Sequence, residues 1–236
     1  MKFSASRADE MKYRRALRQV AREVGAIIDA YHLGDGVLKP GLSDVLQRYS
    51  DLLAEWAPSV AERFIKDAAN RNERAWKRNA KIIGRGLTDL LTSKDGVTIS
   101  RLIREQVDLI TSLPTEAGER AQDIAMQAAI GGRRADEAAQ MINASGEVTS
   151  SRAQLIARTE IARANATISA VRAQNIGVTH YIWQTAKDEI VRHSHAMMQG
   201  RICEYGNPPE VQGEGRHGPG EIYNCRCWGE PILPEN

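Results

Sequence analysis

Phenylalanine is nearly missing from this 236-residue chain: there are two, and all aromatics together make up 5%. Apolar residues still reach 42%, many of them alanine. Large aromatics dominate most cores, so this composition points to helices packed through small side chains and argues against a β-sandwich. Cysteine is scarce as well. There are three, an odd count, and all lie in the last 34 residues (Cys203, Cys225, Cys227). A disulfide framework does not follow from that pattern; a reduced compartment with thiols free or on a metal does. No run of 18 apolar residues is present, so no membrane span is expected. The stretch from Met1 to Arg22 is charged from the start and has no apolar core, so no signal peptide is expected. No segment repeats at a fixed period, which excludes a solenoid. Net charge is only +2, with 23 basic and 21 acidic residues up to position 150 and 9 of each after it. Without a polybasic tail, any contact with DNA must come from a local face.

What is present is ordinary in amount (26% charged) and enough chain for one large or two modest domains. Leu17, Val20, Val24, Ile27, Ile28 and Tyr31 recur at three- and four-residue steps, which predicts a helix over 7–32. Leu33-Gly34-Asp35-Gly36 should end it and Pro40-Gly41 close the loop. A second helix is expected from Ser43, as N-cap, to about Trp56. A third should begin at Pro58, a residue suited to a first helical turn, and run to about Leu91, weakened by Gly84 and Gly86. Thr92 to Gly96 reads as a turn. Further helices are expected over Ser100–Thr111, Pro114–Ile130 and Asp136–Ala144, with a domain boundary at Gly146.

The C-terminal part opens with a helix from Ser151 to about Gln174, stopped at Asn175-Ile176-Gly177. Val178–Thr185 is rich in β-branched and aromatic residues and reads as a strand. Asp188–Met198 reads as a turn or short helix, 204–221 as a long irregular loop, and Tyr223–Ile232 as a second strand able to pair with the first. The expected architecture is mainly α: a helical N-terminal region (1–146), then a small α+β domain (147–236) with a short antiparallel sheet under the long helix.

Within that second region a set of residues follows a fixed order. Arg158-Thr159-Glu160 precedes Ala164-Asn165 on the helix, Trp183 precedes Asp188 by five, and Arg192 precedes His195 by three. Gly200, Pro208-Pro209 and a closing Cys225-Arg226-Cys227 follow. In order and spacing this resembles the phage Mu F-like head morphogenesis domain of minor head proteins in tailed phages, over about a third of the chain. The resemblance implies a structural protein and not an enzyme: a low-copy virion component at the capsid interior or portal vertex, present in the host cytoplasm during assembly. Its implied partners are the portal protein, the major capsid protein or both, together with phage DNA. It also implies a part in head assembly, and in genome packaging or ejection. No membrane partner is implied.

Two kinds of chemistry remain open. Cys225 and Cys227 would share one face of a strand; with His195 and Cys203 they could supply the four soft ligands of a structural zinc. His193 or His217 could replace His195, and the cysteines could equally be small buried hydrophobes. Asp188, Arg192, His193 and His195 hold the inventory of a metal-dependent nuclease with a histidine base. The plainer reading has Asp188 capping the following segment and pairing with Arg192 at i,i+4. Glu160 and Arg163 are spaced to pair, Arg158 to reach the covering loop, and Trp183 to sit in the core with its N–H on a loop carbonyl.

The third helix also carries a basic face. Eight basic and two acidic residues lie between Arg63 and Arg85, and Arg63, Lys66, Arg74, Lys77 and Lys81 share one helical side. Such a stripe suffices for sequence-independent phosphate contact, and equally makes a solvated face. A similar excess, six basic to two acidic, spans Arg7 to Arg22.

Overall fold

The apolar periodicity carries further than the punctuation suggested. A computed structural model describes residues 3–33, 37–38, 41–80, 95–131 and 134–233. Its long helices are α1 (Arg7–Ala30), α2 (Leu42–Ala80), α3 (Asp95–Ile130) and α4 (Ala135–Asn175). The chain is mainly α with a small antiparallel sheet near its C-terminus, as expected. Three expected breaks are absent. Pro58 lies inside α2, because buried positions continue at helical steps through it: Leu46, Ser50, Leu53, Ala57, Ala61, Phe64 and Ala68. Pro114 lies inside α3, on a face running Leu102, Gln106, Ile110, Leu113, Ala117 and Ala121. The hydroxyls of Thr111 and Ser112 fold back on the preceding turn and donate to Val107 O and Leu109 O. Gly146 lies inside α4, whose buried face runs unbroken from Ala139 through Ile142, Ser145, Thr149 and Ala153. Continuous burial outweighs the roughly 1 kcal/mol penalty of one glycine. No helix among the described residues is long and apolar enough to cross a membrane.

By internal packing the chain divides into two compact units. One, the helical unit, comprises Met11–Glu62 and Arg104–Ala157. Its core joins Val24 and Ile28 of α1, Leu42 and Leu46 of α2, Ala117 and Ala121 of α3, and Ile142 of α4. Small residues let the backbones approach. A Cβ on Gly118 would stand 3.5 Å from Ser43 Cα, and one on Gly146 would stand 3.9 Å from Gly25 Cα. Ser43 is not the N-cap; it sits within α2 and donates to Gly118 O at 3.3 Å. The short β1 (His32–Leu33) pairs antiparallel with β2 (Val37–Leu38) after α1. The turn expected at Gly34-Asp35-Gly36 and the loop proline Pro40 lie outside the described residues.

The other, the sheet-bearing unit, comprises Met1–Glu10, Arg63–Ile103 and Arg158–Asn236. Helix α4 ends as its sequence demands: Gly177 adopts φ +77°, Gly177 N–H donates to Gln174 O and Val178 N–H to Ala173 O. The chain turns directly into β3 (His180–Gln184), the centre of a three-stranded antiparallel sheet with β4 (Ile202–Glu204) on one side and β7 (Trp228–Pro231) on the other. β7 (Trp228–Pro231) pairs as expected, with Trp183 opposite Gly229 and Tyr181 opposite Pro231. β4 (Ile202–Glu204), inside a stretch not assigned to a strand, pairs Tyr181 with Cys203. The 204–221 loop contains its own two-residue hairpin, β5 (Glu210–Val211) with β6 (Gly215–Arg216). Phe3 packs edge-on to Trp76 at 5.1 Å beside Ala173 and Val178. Next to them Arg172, 2% exposed, donates from Nε and Nη2 to Asp95 Oδ2 (2.8 and 2.7 Å), and from Nη1 to Ala69 O and Asn72 Oδ1. Asp95 and Gly96 thus open α3 instead of forming a turn; Thr92 to Lys94, and the helix continuation through Leu87 with Gly84 and Gly86, lie outside the described residues.

Candidate metal centre

Three segments of the sheet-bearing unit converge on one buried point. The first is α5 (His193–Ala196), a single turn that carries His195 inward to 1% exposure. It is laced to β3 by Gly200 N–H on Trp183 O, Trp183 N–H on Arg201 O, and Thr185 N–H on the Gln199 side-chain oxygen. The second is Cys225-Arg226-Cys227, irregular chain that follows the turn at Asn224 just before β7 and is not part of the strand. The third is the turn at Gly220, where φ is +90° and a Cβ would meet Ala162 O, Ala166 Cβ and Cys227 O at 3.2–3.3 Å. Only glycine fits there, and its N–H points at Cys225 Sγ, 3.3 Å away.

His195 Nδ1 lies 3.5 Å from Cys225 Sγ and 3.4 Å from Cys227 Sγ, and all three side chains are buried. Zinc bonds of about 2.3 Å to sulfur and 2.0–2.1 Å to nitrogen, at tetrahedral angles, place such donors about 3.6 Å apart. The donor set therefore fits zinc in both kind and spacing. The thiols already behave as a pair. A hydrogen bond from Cys227, with help from His195 and two backbone N–H groups, pulls Cys225 below the ordinary thiol range against burial, while that neighbour and burial push Cys227 up. Burial works against a proton on His195, but its hydrogen bond to Cys225 and the nearby charge raise it above the ordinary histidine value.

The other ring nitrogen, Nε2, faces Glu214 Oε2 at 3.4 Å. Burial would raise Glu214, yet the Ser194 hydroxyl that donates to it, followed by His195 and Arg192, leaves it below the usual carboxylate range. Across that gap the two form an ion pair only when the imidazole is protonated, and Nε2 makes no hydrogen bond among the described residues. Glu214, with His195 and His217, forms a second set of donor atoms within 4.8 Å of one another. His217 is 5% exposed, its Nδ1 lies 3.0 Å from Gly218 O, and its Nε2 is buried without a hydrogen-bond partner among the described residues.

Of the four expected ligands, the structure brings His195, Cys225 and Cys227 together. Cys203, on β4, is absent from both donor sets; its sulfur lies 3.8 Å from Arg201 O. The period-two geometry of β4 against β3 sets it beside Tyr181. His193 is exposed. Glu214 was not anticipated, because only the β5–β6 hairpin carries it to the histidine.

The remaining motif residues hold the site closed. Thr159 Oγ1 accepts the N–H of Asn224 at 3.1 Å, fastening the cysteine turn to α4. Asp188 does not pair with Arg192. It takes two hydrogen bonds from Arg226, 2.6 and 2.5 Å, because the turn at Lys187 (φ +56°) aims it across to the cysteine segment. Arg192 instead donates to Tyr223 O and lies over the Tyr223 ring at 4.9 Å. Glu160 pairs with Arg163 at 3.5 Å as the spacing suggested, and Arg158 stands 3.9 Å from Glu10. Trp183 is fully buried, edge-on to His195 with centroids 5.5 Å apart, and its indole N–H is directed to the Cys227 thiol instead of a loop carbonyl. A cavity of about 160 Å³ bordered by Arg158, Arg192 and Arg226 reaches His195 and both cysteines.

Residues 119–229 match the family model described as Phage Mu protein F like protein. This segment is a phage Mu F-like domain. The match takes in every motif residue of the site and begins at 119, ahead of the position 147 expected from sequence. Over 200 residues the chain is 32% identical to an uncharacterized protein of Haemophilus influenzae, an alignment covering 83% of this chain and 44% of that protein. The chain thus spans less than half the length of that relative. No solved structure matches.

The basic stripe lies away from the Mu F-like motif residues along the chain, on α2. Arg63, Lys66, Arg74 and Lys77 are exposed there, while Lys81 and Arg85 lie outside the described residues. Arg71 on its flank is clamped by the buried Asp9 through two hydrogen bonds of 2.7 and 2.9 Å, and Lys77 pairs with Glu73.

Proposed function

We propose that this chain is a minor head protein of a tailed phage, acting by binding and not by catalysis. It would join the virion at the capsid interior or portal vertex, contact the portal or major capsid protein, meet the genome without sequence preference, and accompany its packaging or ejection. The family match supports the head-morphogenesis part directly. The observation that carries the binding reading is how the motif residues are engaged. Thr159 holds Asn224, Asp188 holds Arg226 and Arg192 holds Tyr223 O, so they close the domain around the cysteines. In this reading zinc on His195, Cys225 and Cys227, backed by Glu214, ties the last strand to the rest of the module. The nuclease alternative has less to draw on, since its carboxylate, Asp188, is occupied by Arg226.

Two measurements test this. Purified protein should contain close to one zinc per chain, and Cys225→Ser should lower it to background; a metal-free wild type discards the zinc. The protein should co-purify with proheads or particles, and its absence from both would remove the head-protein reading. Cleavage of plasmid that depends on His195 and added metal would replace it with the nuclease.

A further inference from the structure

The two basic stretches of the sequence differ in what holds their charges. On α2, Arg71 is bound to Asp9, Lys77 to Glu73, and Lys66 is also engaged, so that the cations there without a partner among the described residues, Arg63, Arg74 and Arg78, are interleaved with paired ones. On α1, Arg14, Arg15, Arg18 and Arg22 make no hydrogen bond or ion pair among the described residues. The segment Met11–Arg22 contains no Asp or Glu. At about 100° per residue these four arginines fall within an arc of about 100°, beside the face that buries Tyr13, Leu17, Val20, Ala21 and Val24. Arg15, Arg18 and Arg22 are exposed and Arg14 is half-buried. Together with Met11 and with Ser150 of α4 they line an open groove of about 440 Å³ within the helical unit.

We propose that this arginine row is a binding site for the phosphate backbone of duplex DNA. The inference deepens the genome contact proposed above and moves it from the α2 stripe to α1. From Arg14 to Arg22 the helix rises about 12 Å. Duplex DNA carries one charge per about 1.7 Å of axis, so that length presents about seven phosphates, roughly half of them on one side. Four guanidinium groups on a rigid helix match that density. Arginine's planar fork also engages phosphate oxygens two at a time. An acidic protein surface fits less well: protein interfaces have an apolar, aromatic-rich centre, and among the described residues Met11 is the only apolar one lining this groove.

The test is binding of the full chain to a 30-base-pair duplex of arbitrary sequence, followed by anisotropy between 50 and 200 mM salt. Each phosphate contact contributes about 0.9 to the slope of log K against log salt. A variant with Arg14, Arg15, Arg18 and Arg22 all changed to Gln should therefore lose about 3 to 4 from the slope and bind at least tenfold more weakly at 50 mM. Arg63→Gln with Arg74→Gln should leave the slope within about 1 of wild type. Because Arg14 is half-buried, the triple variant that keeps it guards against misfolding; it should lose about 2 to 3, with an unchanged circular dichroism melt. Unchanged binding by both α1 variants overturns the site. If binding falls only in the α2 variant, the genome contact stands but its placement here fails. Equal affinity for polyglutamate and DNA points to an acidic protein partner and rejects the proposal, and no DNA binding at all rejects both it and the genome contact.

Discussion

The helical unit and the sheet-bearing unit are built by different means. The helical unit repeats one device over long distances: a small or branched apolar residue every three or four positions, meeting others across glycine and alanine contacts. Stability built in that way is spread over many similar contacts. The sheet-bearing unit has strands of two to five residues and relies on particular side chains: Arg172 on Asp95, Asp188 on Arg226, Thr159 on Asn224, and the His195–Cys225–Cys227 cluster. Strands this short gain little from pairing alone. Single substitutions should therefore have graded effects in the helical unit and large, specific ones in the sheet-bearing unit.

Metal removal should produce the largest difference. Structural zinc contributes on the order of 10 kcal/mol to small modules. Prolonged chelation, or Cys227→Ser, should abolish the fixed environment of Trp183 in near-ultraviolet circular dichroism while most far-ultraviolet helical signal remains. If both signals melt together, or neither changes, the two units are not built as differently as argued.

Arg172→Ala comes next. It leaves Asp95 buried without its partner, a change that costs about 3–5 kcal/mol. Leu46→Ala in the helical core should cost about 2–5 kcal/mol through the cavity it opens. The distinguishing observation is rescue. Removing both Arg172 and Asp95 in favour of apolar residues should recover most of the first loss, whereas no second substitution on a facing helix should recover more than part of the second. Urea unfolding of the single and double variants measures both.

The same substitution should take opposite signs in the two units. Gly146→Ala introduces a methyl into open helix interior, with its nearest neighbour at 3.9 Å, and should stabilise by up to about 1 kcal/mol. Gly220→Ala meets a backbone φ of +90° and oxygen atoms at 3.2–3.3 Å, and should destabilise by about 1–3 kcal/mol. Thermal melts of the two variants decide it. Equal signs would mean that backbone geometry around the cysteine turn does not constrain the fold.

This contrast also explains what could be read from the sequence. Helical periodicity is local, so α1, the end of α4 at Gly177 and the β3–β7 pair were legible. Where one punctuating residue competes with a continuing stripe, the stripe prevails: Pro58, Pro114 and Gly146 each lie on helices whose buried faces pass straight through them. Counting the stripe across each residue would have found the continuation. His195, Cys225 and Cys227 were legible as a donor set because soft ligands are rare in this chain. Their company was not. Glu214 reaches His195 through a hairpin of two-residue strands, and Arg226 takes Asp188 across 38 positions, neither of which leaves a local trace in sequence. Cys203 was included by chemistry alone, and sheet register sets it against Tyr181.

The smallest effect expected concerns Asp188 and tests whether even an exposed link in the sheet-bearing unit has a measurable role. Hydrogen bonds from Arg226, then its charge and two backbone N–H groups, hold the Asp188 carboxyl below the ordinary aspartate range although it is solvent-exposed. A carboxyl depressed in the folded state stabilises that state above its unfolded value and loses the contribution as pH falls through the folded value. The window therefore lies at and below about pH 4. Exposure and salt keep such a pair weak, so the effect should be a shallow extra slope in the urea midpoint between pH 5 and 3, followed by tryptophan fluorescence. Asp188→Asn should remove that slope and flatten its dependence on salt, with a small deficit from wild type at pH 7 that closes as the pH falls towards 3. If wild type and variant lose stability in parallel across this range, the Asp188–Arg226 contact does not hold the cysteine segment, and the closure of the site must rest on Thr159 and the buried cluster.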